Sequence, residues 1–142
     1  MTATVLLVDD EVRSLDAMRR TLEEDFEVLT ATGADEAREQ MARREVHVIL
    51  CDQRMPGTTG VEFLREARER WPDAVRIVIS GYTDSEDIIA GINEAGIWQY
   101  ILKPWVPDHL LQTVRSAAEA RTLQHGLARL DPAHLQWDEF RP

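Results

Sequence analysis

The sequence predicts an α/β fold in which five short strands alternate with five helices around one doubly wound parallel sheet. Two observations lead to this prediction. Short apolar runs recur along the chain, and their apolar residues are largely consecutive instead of alternating, which is typical of parallel strands covered on both faces. Between these runs lie longer segments whose apolar residues recur at helical spacing. Such an alternation favours a single sheet with right-handed crossovers.

The five strands are predicted from the apolar runs. They cover Val5–Val8, Val28–Leu29, Val46–Cys51, Val75–Ile79 and Ile97–Leu102. The second run leads into a segment without a charged or catalytic side chain, which indicates that this strand lies away from a functional edge.

The intervening segments are predicted as helices, each with one apolar face. They cover residues 12–24, 34–44, 60–70, 84–95 and a long segment that begins at Asp108. The third helix is expected to end before Trp71-Pro72, because a residue that precedes proline disfavours the helical conformation. Gly96 follows the fourth helix, at the position where glycine commonly ends a helix.

The C-terminal residues are expected to lie outside the compact domain. We predict a domain over residues 1–122, followed over residues 123–142 by an extended fifth helix or linker toward an output domain or a dimer partner. Its apolar stripe consists of Leu123, Leu127 and Leu130. Asp131-Pro132 is expected to stop this helix. The alternative is a frayed extension that packs on its own domain.

Composition excludes several classes of function. The chain has 26 acidic and 16 basic side chains, a net charge of −10, so direct contact with nucleic acid is not expected, because phosphates require basic patches. The single cysteine, Cys51, excludes an internal disulfide framework and a multi-cysteine zinc site. No signal peptide or membrane-spanning segment is recognised. A cytoplasmic protein without a membrane partner is therefore expected.

Polar residues follow or end four of the five strands. They are Asp9 and Asp10 after the first, Asp52 after the third, Ser80 after the fourth and Lys103 after the fifth. Ligands of open parallel sheets bind beyond these carboxyl ends. Crowded carboxylates repel one another unless a cation joins them, and Mg²⁺ prefers oxygen ligands. The lysine and the serine supply donors for phosphate oxygens. Asp52 is then a candidate nucleophile that forms an aspartyl phosphate.

These residues make the sequence resemble a response-regulator receiver domain, the phosphoacceptor part of a two-component system. The matching segments are VLLVDDE at 5–11, DQRMPGTTG at 52–60, ISG at 79–81 and YILKP at 100–104. The resemblance covers roughly residues 4–122. It implies a flavodoxin-like sandwich with a five-stranded parallel sheet in the order 2-1-3-4-5.

The resemblance implies a role for each acidic residue. Asp52 is expected to accept a phosphoryl group from the phosphohistidine of a sensor histidine kinase. Mg²⁺ is expected to be held by Asp10, Asp52 and the backbone carbonyl of Arg54, with Asp9 holding a metal-bound water. The protein would then be no enzyme beyond its own phosphorylation and dephosphorylation.

The resemblance also implies how a phosphoryl group is bound and sensed. Ser80 and Lys103 are expected to bind it, and the bond between Lys103 and Pro104 is expected to be cis. Ser80 is expected to move toward the phosphoryl group, and Tyr100 to swing into the space that it leaves. This changes the face around helix 4, strand 5 and helix 5, which controls an output domain and is also a candidate homodimer interface.

Two features narrow the resemblance. Arg54 and Tyr82 stand at the variable rim positions of the site, where large side chains are expected to impede the attacking water and slow autodephosphorylation. The motifs DQRMPG and KPW resemble those of receivers attached to NtrC-type activators related to hydrogenase-synthesis regulators, or to cyclic-dinucleotide phosphodiesterases. Transcription regulation is the expected output.

Three alternatives remain open. A Mg²⁺-dependent phosphatase-type enzyme acting through Asp52 would need a substrate pocket, and no insertion is long enough to form a cap over one. A flavodoxin-like cofactor binder is disfavoured because no hydroxyl-rich phosphate loop follows the first strand. A receiver that signals without phosphorylation is disfavoured by the intact acidic pair, Asp52, Ser80 and Lys103.

Overall fold

A computed structural model describes residues 2–81 and 85–134, within which strands and helices alternate. The strands are β1 (Thr4–Val8), β2 (Glu27–Ala31), β3 (Val48–Asp52), β4 (Val75–Ser80) and β5 (Gln99–Leu102). The helices are α1 (Val12–Leu22), α2 (Ala34–Arg43), α3 (Gly60–Arg70), α4 (Ser85–Ala95) and α5 (Pro107–His134). Among these helices, none combines the length and the apolarity required to cross a bilayer.

The strands form one parallel sheet in the order β2-β1-β3-β4-β5, which confirms the predicted fold and topology. The central strands β1 and β3 are buried at every residue. The edge strands β2 and β5 expose part of their residues, because each has a neighbour on one side only. The strands at the centre of the sheet are therefore completely buried, as expected, whereas those at its edges are buried only in part.

Alternate residues of the strands enter two separate cores. Leu6, Ile49 and Val78 face the core that is completed by α2, α3 and α4. Leu7 and Leu50 face the opposite core, which is completed by α1 and α5. This alternation is the period-two geometry of a strand, and here both faces of the sheet are covered.

Cys51 lies in the first of these cores and is fully buried. Burial raises the pKa of its thiol well above the usual value, and the neighbouring charge of Asp52 adds to the effect. The thiol therefore stays protonated at neutral pH and acts as an apolar packing group.

The C-terminal helix differs from the prediction at both ends. It begins at Pro107, one residue earlier than expected, because the fixed backbone angle of proline suits the first position of a helix. It was expected to stop at Asp131-Pro132, and this was wrong, since α5 continues to His134. A proline removes one backbone hydrogen bond from the last turn but does not forbid the two residues that follow it.

The C-terminal end of α4 is stabilised by a glycine and by two arginine side chains. Gly96 follows it with φ of +60°, which confirms the predicted glycine stop. The carbonyl oxygens of the last turn accept hydrogen bonds from two guanidinium groups: Arg76 donates to Ala95 at 2.9 Å, and Arg68 donates to Asn93 at 2.6 Å. The last carbonyl groups of a helix have no backbone N–H partner within the helix, and here the two guanidinium groups take that place.

Candidate functional site

The carboxyl ends of β1, β3, β4 and β5 lie side by side because these strands are neighbours and run parallel. The register of β1 with β3 places Asp9 and Asp52 at adjacent positions along this edge. Ser80 is the last residue of β4, and its carbonyl oxygen accepts a hydrogen bond from the backbone N–H of Lys103 at 2.8 Å. The structure thus brings together residues that the sequence predicted to converge.

Three carboxylates form a cluster at this edge. The side chains of Asp9, Asp10 and Asp52 each offer one oxygen, and these oxygens lie within 4.8 Å of one another. Asp9 is 2% exposed and Asp52 is 3% exposed, whereas Asp10 is exposed to solvent. A buried group of like charges is unfavourable by itself and favours a cation that all three can contact.

Lys103 supplies one positive charge to this cluster. Its Nζ lies 2.5 Å from Oδ1 of Asp52. Partial burial acts to lower the pKa of this ammonium, but the hydrogen bond to Asp52 and the charges of Asp52 and Asp9 outweigh it, so the pKa is raised. The lysine is therefore charged at neutral pH. The peptide bond between Lys103 and Pro104 is cis, as predicted.

The pKa of Asp9 is raised by its burial in this cluster. Burial, the charge of Asp52 and the charge of Asp10 raise the pKa of Asp9 to about 6. The backbone N–H of Glu11 donates to Oδ1 of Asp9 at 2.9 Å and, together with Lys103, limits the rise. One lysine therefore leaves the three carboxylates incompletely neutralised. The hard oxygen donors and this remaining negative charge fit Mg²⁺.

The raised pKa of Asp9 predicts that Asp9→Asn stabilises the metal-free protein. The pKa of Asp9 is about 6 in the folded protein and 3.8 in the unfolded chain. Between these two pH values the folded state binds more protons than the unfolded state, so the free energy of unfolding falls as pH rises. At pH 7.5 the ionised Asp9 lowers the free energy of unfolding by at most about 3 kcal/mol. Asp9→Asn is therefore expected to raise the free energy of unfolding by about 1–3 kcal/mol. Asparagine keeps an acceptor oxygen for Glu11.

Urea denaturation with a chelator at several pH values measures this gain. The difference between Asp9→Asn and the wild type is expected to vanish below about pH 3, where Asp9 is neutral in both the folded and the unfolded state. Adding Mg²⁺ is expected to stabilise the wild type more than the variant. Equal stability of the two proteins at pH 7.5 without metal would contradict the prediction.

Two further predicted site residues, Arg54 and Tyr100, lie in the described part of the chain. Arg54 is exposed in the loop between β3 and α3, two residues beyond Asp52. Tyr100 lies in β5 opposite Val78 of β4, and 51% of its surface is exposed. Tyr82 falls outside the described residues. The structure therefore places Arg54 near the site and Tyr100 on the adjoining surface.

Two residues beside Asp52 were not assigned a role by the sequence analysis. Gln53 is buried, and its side-chain oxygen accepts a hydrogen bond from the backbone N–H of Val61 at 2.8 Å. Gly60 packs directly on the carbonyl group of Asp52. For Gln53, the only sign in the sequence is a polar residue next to the end of a buried strand. Gly60 is the last residue of the 52–60 motif, but the motif does not indicate that it contacts Asp52.

Comparisons with known proteins show the family of this chain. Residues 5–115 match the response regulator receiver domain. The chain is 74% identical over 129 residues to the hydrogenase transcriptional regulatory protein HoxA of Cupriavidus necator, covering 91% of this chain and 27% of that protein. It is 60% identical over 121 residues to the HoxA protein of Bradyrhizobium diazoefficiens, covering 85% of this chain and 25% of that protein.

A solved structure shows the same likeness. NtrX from Brucella abortus, crystallised in complex with ADP, superposes with a TM-score of 0.85 at 29% identity, over 92% of this chain and 30% of that chain. The chain spans about a quarter of the length of the HoxA proteins that it matches. The predicted resemblance to receivers of NtrC-type, hydrogenase-regulator-like activators is confirmed. The chain belongs to the response regulator receiver domain family.

Proposed function

We propose that this domain accepts a phosphoryl group on Asp52 from a sensor histidine kinase, in a reaction that requires Mg²⁺. The observation that supports the proposal best is the placement of Asp52. It is buried, it lies within 4.8 Å of two further carboxylates, and it is paired with the ammonium of Lys103. The carboxylates can bind a cation, and the ammonium of Lys103 can bind a phosphoryl group at the same place.

The metal would be held by the carboxylates of Asp10 and Asp52 and the backbone carbonyl of Arg54, with Asp9 holding a metal-bound water. When bound, Mg²⁺ neutralises negative charge on the phosphoryl oxygens. The three carboxylates fit this task because oxygen ligands suit the ion and because their mutual repulsion is relieved by it.

The chain's own residues do the rest of the reaction. A carboxylate oxygen of Asp52 attacks phosphorus, and an oxygen–phosphorus bond forms as the nitrogen–phosphorus bond of the phosphohistidine breaks. Lys103, already beside Asp52, binds one phosphoryl oxygen, and the hydroxyl of Ser80 donates a hydrogen bond to another. The domain catalyses only its own phosphorylation and dephosphorylation.

The same residues transmit the change. Ser80 is buried at the end of β4, and Tyr100 lies on the adjacent strand with 51% of its surface exposed. Ser80 moves toward the phosphoryl group, and Tyr100 turns inward into the vacated space. The face formed by α4, β5 and α5 then shifts between two populated arrangements.

The partner of this face is an output domain. The HoxA proteins are transcriptional regulators by name and extend well beyond the matched part. We propose that this domain controls such a transcriptional output in the cytoplasm, through residues 123–142 as a linker or through a homodimer. The domain itself does not contact nucleic acid, consistent with its net charge of −10.

Intact mass spectrometry tests the phosphoacceptor reaction. Incubation with acetyl phosphate and Mg²⁺ is expected to add one phosphoryl group, and a chelator is expected to prevent the gain. Steady release of phosphate from many small phosphate esters, without a stable mass gain, would favour the phosphatase-type enzyme instead. A folded, Mg²⁺-bound protein that gains no mass even with a histidine kinase would favour signalling without phosphorylation.

The rim residues are proposed to prolong the phosphorylated state. Arg54 and Tyr82 are large side chains that hinder the water that hydrolyses the aspartyl phosphate. Arg54→Ala is expected to shorten the phosphoryl lifetime severalfold, because the side chain is lost while the backbone carbonyl that binds metal remains. The lifetime is measured by the decay of the phosphorylated mass, with the exposed Arg43→Ala as the control. An unchanged lifetime would refute this role of Arg54.

A further inference from the structure

We propose that Gln53 is a positioning residue that ties the start of α3 to the end of β3 and so sets the geometry of the Mg²⁺ site. The inference rests on the proposed function, because it concerns the same site. Gln53 follows Asp52 directly but is turned away from solvent, with 3% of its surface exposed.

Gln53 makes three hydrogen bonds, one with β4 and two with the start of α3. Its backbone N–H donates to the carbonyl oxygen of Ile79 in β4 at 2.9 Å. Its backbone carbonyl oxygen accepts from the N–H of Gly60 at 3.1 Å. Its side-chain Oε1 accepts from the N–H of Val61 at 2.8 Å. One residue thus joins the ends of two strands to the first turn of a helix.

The start of α3 depends on this residue. The first N–H groups of a helix have no partner inside the helix. Thr59 accepts from the N–H of Glu62 through its hydroxyl, as part of a capping box, and from the N–H of Phe63 through its carbonyl. The two N–H groups that precede these, of Gly60 and Val61, both donate to Gln53. Val61 is buried, so its N–H would be costly to leave without an acceptor.

These bonds close the loop that carries a proposed metal ligand. Arg54, whose carbonyl we propose as a ligand of Mg²⁺, lies between Gln53 and the start of α3. Gly60 packs on the carbonyl group of Asp52, so the returning end of the loop also contacts the residue that accepts the phosphoryl group. An apolar side chain at position 53 could fill the same space, but it could not accept the N–H of Val61.

Gln53→Met tests this role, because methionine has similar length and lacks the acceptor oxygen. We expect faster amide hydrogen exchange at Val61 and Mg²⁺ affinity weakened on the order of tenfold, as for other groups that orient metal ligands. Phosphorylation by acetyl phosphate at saturating Mg²⁺ is expected to change less than the affinity. Gln53→Glu keeps an acceptor oxygen and is expected to keep the slow exchange at Val61.

Thr59→Val is the matched control, because it also removes one side-chain hydrogen bond from the first turn of α3. It is expected to lower thermal stability and leave Mg²⁺ affinity unchanged. Equal weakening of Mg²⁺ binding by both variants, or unchanged binding in Gln53→Met, would overturn the inference. If the wild-type protein itself binds no Mg²⁺, the proposed function is overturned as well. The two failures are distinguishable, because this one is seen without any substitution at Gln53.

Discussion

Asp52→Asn is expected to abolish phosphorylation, so that acetyl phosphate and Mg²⁺ add no mass to the variant. An amide is not a nucleophile for phosphorus, and the cluster loses one of its three carboxylates. Asparagine has the same shape, and the variant is expected to fold, since it also relieves the repulsion that raises the pKa of Asp9. The effect is therefore on chemistry and not on the fold.

The control for this variant is Asp73→Asn. Asp73 is exposed and precedes β4, at the end of the sheet opposite the carboxylate cluster. This variant is expected to gain one phosphoryl group at the wild-type rate. A mass gain in Asp52→Asn equal to that of the wild type would show that another side chain accepts the phosphoryl group. That result would contradict the proposed assignment of Asp52.

Gly60→Ala is expected to have the largest effect on stability. A Cβ at this position would lie 2.9 Å from the Asp52 carbonyl carbon and 2.9 Å from the Cα of Gln53. These neighbours are backbone atoms, which cannot move aside as a flexible side chain can. The loop and the end of β3 must separate, at a cost of about 1–3 kcal/mol, as in other overpacked sites. Asp52 is displaced with them.

Denaturation in urea measures this loss, and the phosphorylation rate measures the displacement. Gly33→Ala is the matched control. Gly33 lies immediately before α2, much as Gly60 lies at the start of α3, but an added Cβ at Gly33 would have nothing within 4 Å. Its extended backbone accepts alanine, so little change in stability or phosphorylation is expected. Similar stability of Gly60→Ala and the wild type would contradict the close approach of α3 to Asp52.

Several features followed from local patterns in the sequence. The apolar runs located all five strands, and the polar residues that follow β1 and β5 or end β3 and β4 predicted the convergence that the structure shows. Gly96 was recognised as a helix stop because a positive φ at that position is favoured by glycine. Such features depend on residue type and spacing, which the sequence displays directly.

Other features depend on contacts between distant parts of the chain. The pKa of Asp9 is raised by burial and by Asp52, and Asp52 is 43 positions away. Arg76 lies in β4, and its guanidinium binds the end of α4, 19 positions further along the chain. Neither residue type nor spacing contains this information, because it arises only when the elements pack.

By itself, the sequence determined the order of strands and helices, the acidic edge of the sheet and the family of the domain. Only the tertiary structure decided which neighbours support that edge: Gln53 as the acceptor for α3, Gly60 as the point of close approach and Lys103 as the partner of Asp52. The reason is physical. Periodicity and residue type act along the chain, whereas burial, hydrogen-bond satisfaction and charge repulsion are set by atoms that folding brings together.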